Sequence, residues 1–137
     1  MKLTAIMMIM VAALLSVIPS VAQENLTINI TSPENGEDVE WRTWVEGVTN
    51  LQDDTDYHIY VLINPADSGT WWVQPEAVLD SNTGEWFAYV YFGREGMDYG
   101  SWQFVCAIIT ASGLGDNTFD SIPEHIAKSD IIRVRRK

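Results

Sequence analysis

The sequence predicts an all-β domain, a sandwich of seven strands, and three observations predict it. After residue 22, apolar and polar residues alternate with a period of two through most of the chain, as in strands with one face buried. Turn residues interrupt these runs at the short intervals typical of a sandwich. No long stretch after residue 22 carries the helical period of an amphipathic helix.

Residues 1–22 read differently. Lys2 gives a short positive start, residues 3–17 are almost unbroken apolar, Pro19 breaks the helix, and Ser20-Val21-Ala22 puts small residues at the cleavage positions. This is the pattern of a signal peptide helix that is cut after Ala22. A retained transmembrane anchor is the alternative, because residues 3–22 match the ~20 residues that cross a bilayer. In either case residues 23–137 form one domain of ordinary size that works outside the cytoplasm, secreted or at the cell surface. It touches the membrane only through an uncleaved N-terminal segment.

The strands follow in order. Leu26-Thr27-Ile28-Asn29-Ile30-Thr31 alternates, with Leu26, Ile28 and Ile30 inward, and ends in the turn Pro33-Glu34-Asn35-Gly36. The second strand, 39–46, sets Val39, Trp41, Thr43 and Val45 against Glu40, Arg42, Trp44 and Glu46, so Trp44 points outward. Strands 57–63 and 102–111 are apolar on both faces, as strands covered on both sides are. Residues 70–79 make an irregular strand that Pro75 confines to an edge or a bulge. Asn82-Thr83-Gly84 turns the chain into strand 85–92, where Trp86, Ala88, Val90 and Phe92 alternate with Phe87, Tyr89 and Tyr91. Residues 112–117 form a loop, 123–127 one helical turn, and 131–135 the closing strand.

Eight Lys and Arg face nineteen Asp and Glu, for a net charge of −11. Nucleic acid, itself a polyanion, is excluded as a partner. Lys128, Arg133, Arg135, Arg136 and Lys137 gather most of the cations at the end of the chain, as a basic last strand or as a tail for an acidic neighbour. Cys106 is the single cysteine. It allows no internal disulfide, and its apolar neighbours Phe104, Val105, Ala107 and Ile108 mark it as a small buried hydrophobe.

Four segments, Ile30-Thr31-Ser32-Pro33-Glu34-Asn35-Gly36 with Val39, Val45-Glu46-Gly47, Gly84-Glu85-Trp86 and Ser129-Asp130-Ile131-Ile132-Arg133-Val134, carry a likeness. Together they resemble the immunoglobulin-like and fibronectin-type-III-like domains of exported prokaryotic proteins. The resemblance implies a seven-stranded immunoglobulin-like sandwich behind the signal peptide helix. It also implies roles in adhesion, spacing at the cell surface or carbohydrate recognition. Cys106 has no partner cysteine in strand 39–46, and Phe104 stands where antibody-type domains carry a corner tyrosine. These two departures separate the chain from antibody-type domains.

For catalysis the residues are sparse, and no enzyme is expected. His58 and His125 have no nucleophile motif beside them, and no set of ligands has zinc spacing. Gly113-x-Gly115 reads as a turn. The loops after the second, fourth and sixth strands lie at one end of a seven-stranded sandwich and bring Asp53, Asp54 and Asp56 toward Asp80 and Glu85, and toward Asp116 and Asp120. Calcium held by oxygen ligands would relieve their repulsion; a solvated acidic rim is the alternative, and no other cofactor is expected.

Six Trp, five Tyr and four Phe exceed the needs of a core this size. If strands 39–46 and 85–92 are neighbours, as the resemblance implies, Trp44, Phe87, Tyr89 and Tyr91 share an outer face. Such a face could take a cell-surface protein or stack on a glycan, or could be covered by the N-terminal segment or by Trp71-Trp72. Asn25-Leu26-Thr27 and Asn29-Ile30-Thr31 are glycosylation sequons, with Asn29 outward. The expectation is a non-enzymatic exported domain acting by protein contact, with carbohydrate binding and calcium binding as alternatives.

Overall fold

The computed structural model describes residues 25–52 and 56–137, so the expected signal peptide, 1–22, lies outside it. The described residues form eleven strands and no helix. They are β1 (Ile28–Ser32), β2 (Asp38–Val39), β3 (Arg42–Thr49), β4 (His58–Pro65), β5 (Trp71–Val73), β6 (Val78–Asp80), β7 (Glu85–Tyr91), β8 (Trp102–Thr110), β9 (Thr118–Phe119), β10 (Ala127–Lys128) and β11 (Ile132–Arg136).

Two sheets face each other. One has four strands in the order β1-β3-β7-β6; the other has seven, in the order β2-β11-β8-β4-β5-β9 with β10 also on β8. All pairs are antiparallel except the short parallel contact of β2 with β11. The alternation read from the sequence supplies the layer between them. Val45 of β3, Trp86 and Val90 of β7, Val61 of β4, Val105 and Ile109 of β8 and Val134 of β11 are all fully buried there. Each such side chain contributes roughly 1.5–3 kcal/mol.

Gly47 sits in this layer because nothing larger fits. A Cβ there would lie 1.9 Å from the Asn29 carbonyl oxygen and 2.4 Å from the Trp86 ring. The missing side chain lets Trp86 lie across β3.

Strands β4 and β8 are buried on their second face as well. Tyr60, Leu62, Trp71, Cys106 and Ile108 form a separate apolar cluster, closed by Leu114 and Ile122. The segment after β8 folds back over this face. The Leu114 N–H donates to the Tyr60 hydroxyl at 3.1 Å, the Val73 N–H donates to the Asn117 carbonyl, and β9 pairs with β5. This cover accounts for the doubly apolar runs.

The expected strands change in three places. The run 39–46 is divided, with Val39 in β2 of the larger sheet and β3 beginning at Arg42. The run 70–79 is also divided. Pro75 has no N–H for a ladder, and the chain crosses from β5, paired with β4, to β6, paired with β7. Residues 123–127 make no helical turn. They form no regular element before β10, where Ala127 opposes Ile109.

Candidate functional site

The outer face of the four-stranded sheet carries the aromatic residues singled out by alternation. β3 and β7 pair in a register that sets Glu46 opposite Phe87, Trp44 opposite Tyr89, and Arg42 opposite Tyr91. Residues opposite one another share a face, so all six point outward. Trp44 is 50% exposed, and Tyr89 and Tyr91 are each 37% exposed.

The rings pack on one another. The Trp44 ring centroid lies 4.8 Å from Tyr89 and 5.8 Å from Phe87, the latter edge-on. The Arg42 guanidinium sits 4.3 Å from the Tyr89 ring and 4.9 Å from that of Tyr91, close enough for cation–π attraction. Val78, exposed opposite Phe87, extends the array at one end.

Neither Trp71 nor Trp72 covers this face. Trp71 is buried in the cluster beyond the larger sheet, and Trp72 lies at the rim of a cleft described next. Trp41, expected on the inner face, is half-buried ahead of β3 with its ring 5.6 Å from that of Tyr91.

The cleft has a volume of about 640 Å³ and opens between the sheets beside β5. Trp72 pairs in register with Ile63 and so projects toward the main core. The smaller sheet does not reach that far, because β6 joins β7 only opposite residues 85–87. Trp72 is therefore 51% exposed although it points inward. Tyr91, Arg94 and Asp98 form the opposite wall, with Gln74, Ser101 and Gln103 in the lining between and Asp67 and Asp116 also lining it.

The far wall is held rigidly. The Asp98 carboxylate accepts from the Arg94 backbone N–H at 2.8 Å and from its guanidinium at 3.1 Å and 2.9 Å. Hydrogen bonding to the Arg94 side chain, then to its backbone, holds the Asp98 carboxyl below the usual carboxylate range. Gly93, at φ +80°, lets the chain turn against that carboxylate, since a Cβ would lie 2.9 Å from Asp98 Oδ2.

The aspartates considered for calcium are dispersed. Asp53 and Asp54 lie outside the described residues, and Asp56 is exposed ahead of β4. Asp80 closes β6 and accepts from the Asn82 N–H at 3.0 Å. Its turn adjoins the end of β3, where the Thr49 N–H donates to the Gly84 carbonyl. Asp116 is carried by the fold-back segment to the cleft instead. About six residues of strand, ~20 Å, separate the Asp80 end of β7 from Tyr91, so Asp80 and Asp116 do not meet. Asp120 is exposed beyond β9. Among the described residues, no three His, Cys, Asp or Glu side chains gather as a metal site.

His58 stacks on Tyr60 at 6.1 Å, and both contact the Glu76 carboxylate, at 3.0 Å and 3.3 Å. His125 contacts the Pro123 carbonyl at 2.8 Å. Sequence reasoning located the aromatic face but missed the cleft. Trp72 gave no signal, because its exposure follows from the unequal widths of the two sheets and not from its neighbours in the chain.

The sequence matches no family model and no curated protein. Among solved structures it is similar to the endo-β-1,4-mannanase from Thermotoga petrophila, with 14% identity and a TM-score of 0.44. The match covers 85% of this chain and 20% of that one.

Proposed function

We propose that this chain is an exported, non-enzymatic binding domain of the immunoglobulin-like sandwich class that acts at the cell surface by protein–protein contact. The observation that carries the proposal is the array centred on Trp44, half-exposed and braced by Tyr89 and Phe87. Trp, Tyr and Arg are the residues that dominate interface energetics, and Arg42 lies over two of the rings. Because the rings already hold one another, a partner orders little when it docks. The reading of residues 1–22 as a signal peptide supports placing that partner outside the cytoplasm.

The test is co-purification from intact cell envelopes with the wild-type chain and with Trp44→Ala. Trp44→Ala removes ring contacts worth about 0.5–1.5 kcal/mol and leaves the buried layer intact, so thermal melts are expected to stay close to wild type. Loss of one captured envelope protein with the fold retained supports the proposal. Equal capture by both chains overturns it, as does recovery of glycan alone on this face.

A further inference from the structure

We propose that the cleft beside β5 is a second binding site, distinct from the Trp44 array and bordering it at Tyr91, and that it takes a short neutral saccharide. Its volume of about 640 Å³ lies in the ~300–1,000 Å³ range of small-ligand sites, and its lining selects the chemistry. Trp72, paired between β4 and β9, is half-exposed, and its indole offers a flat apolar surface matched to the C–H face of a pyranose ring. Asp67 and Asp116 offer carboxylate acceptors, and Arg94 offers a donor. Hydrogen bonds to charged groups are about twice as strong as neutral ones, and each sugar hydroxyl can both donate and accept. In the lining, Gln103 is 1% exposed and donates from Nε2 to the Ser101 hydroxyl at 2.9 Å. Its Oε1 is buried behind the lining and has no donor among the described residues.

Other ligand classes fit less well. An anion meets three carboxylates, and the single guanidinium is already clasped by Asp98. A compact cation needs converging carboxylates. Among the described residues no three acidic, His or Cys side chains gather, and Asp98 is neutralised by Arg94. A ligand with one apolar face and a rim of uncharged hydroxyls satisfies both halves of the lining. The wall opposite Trp72 is set before it arrives, Arg94 by the Asp98 clasp and Tyr91 by Gln74, whose Oε1 accepts from the Tyr91 N–H at 2.9 Å.

The experiment titrates the full chain with neutral hexose mono-, di- and trisaccharides, and with their uronic-acid and amino-sugar counterparts, following tryptophan fluorescence and calorimetry. A neutral saccharide is expected to bind saturably with little dependence on added salt. Trp72→Ala is expected to weaken binding at least about tenfold, ~1.4 kcal/mol, Trp72→Phe to restore part of it, and Asp116→Asn to weaken it severalfold. Trp44→Ala is expected to leave it unchanged, so loss of the protein partner and loss of the sugar are read on different variants. Thermal melts of both Trp72 variants confirm folding, which the exposure of Trp72 protects. No saturable response to any neutral sugar overturns the proposal. It is equally overturned by binding confined to amino sugars and abolished by salt, or by sugar binding lost in Trp44→Ala and kept in Trp72→Ala.

Discussion

The side-chain Oε1 of Gln74 accepts a hydrogen bond from the backbone N–H of Tyr91 at 2.9 Å, joining the larger sheet to the smaller at the mouth of the cleft. β6 covers β7 only opposite residues 85–87, which leaves the edge of β7 near Tyr91 without a strand partner. Gln74, 8% exposed just past the end of β5, supplies by side chain the acceptor that a longer β6 would have supplied by backbone. Gln74→Met keeps the volume and removes the acceptor. It is expected to lower stability by about 1–3 kcal/mol, the cost of an unsatisfied buried donor, measured by urea denaturation.

Gly47 carries a second steric prediction. Its missing Cβ is the space in which Trp86, fully buried, crosses β3. Gly47→Ala would press a methyl against both the Asn29 carbonyl and the indole, so either β1 or Trp86 must move. Overpacking of this kind costs typically ~1–3 kcal/mol, and here the closest obstacle is backbone. A loss at or above the top of that range is expected in thermal melts, with a changed tryptophan spectrum reporting the displaced ring.

These two positions show what the sequence reveals and what it conceals. The alternation in β3 and β7 was legible because each strand has one wet face, and it placed Trp44, Phe87, Tyr89 and Tyr91 correctly on that face. Registers such as Trp44 opposite Tyr89 depend on pairing, which a period of two does not encode. The split at Pro75 was legible as an interruption, but not as a crossing between sheets. Strands β9 and β10, two residues each, are too short to show a period. Residues 123–127 look helical only when the cover over β8 is unknown. The cleft arises from the difference in width between the sheets, so its residues come together from β4, β5, β7, β8 and four loops without a local motif.

Asp98 gives the molecule an acid-sensitive clasp. Its folded-state pKa lies below the unfolded value, so the clasp contributes fully above the ordinary carboxylate pKa of ~3.9. The contribution is lost as pH falls through the lower, folded value. Asp38, hydrogen-bonded to Arg135 at 3.0 Å and 3.1 Å, behaves in the same sense. Both pairs are solvent-screened, which keeps each effect small. Asp98→Asn is expected to melt below wild type at neutral pH, and the gap is expected to close as acid protonates Asp98 in the wild type. Melts recorded from pH 7 down to about pH 2 check the sign, because a gap that widened in acid would contradict it.

Cys106 is expected to stay a thiol wherever the chain resides. It is fully buried in the cluster beneath the fold-back segment, and burial pushes its pKa up, only partly offset by its hydrogen bond with Ser129. Few thiolates form there, and no oxidant or second chain reaches the sulfur without an opening of the cover. A thiol reagent such as Ellman's is therefore expected to react negligibly with the native chain and fully in denaturant. The route to labelling is set by Leu114 and Ile122, which close the cluster. Leu114→Ala at this half-buried position is expected to cost the cover about 1–2 kcal/mol, less than a fully buried leucine would. That loss raises the open population, and with it the labelling rate, by about 5–30-fold. Trp44→Ala, on the opposite sheet, is expected to leave the rate unchanged. Equal acceleration by both variants would mean that labelling follows global unfolding and that the cover does not open by itself.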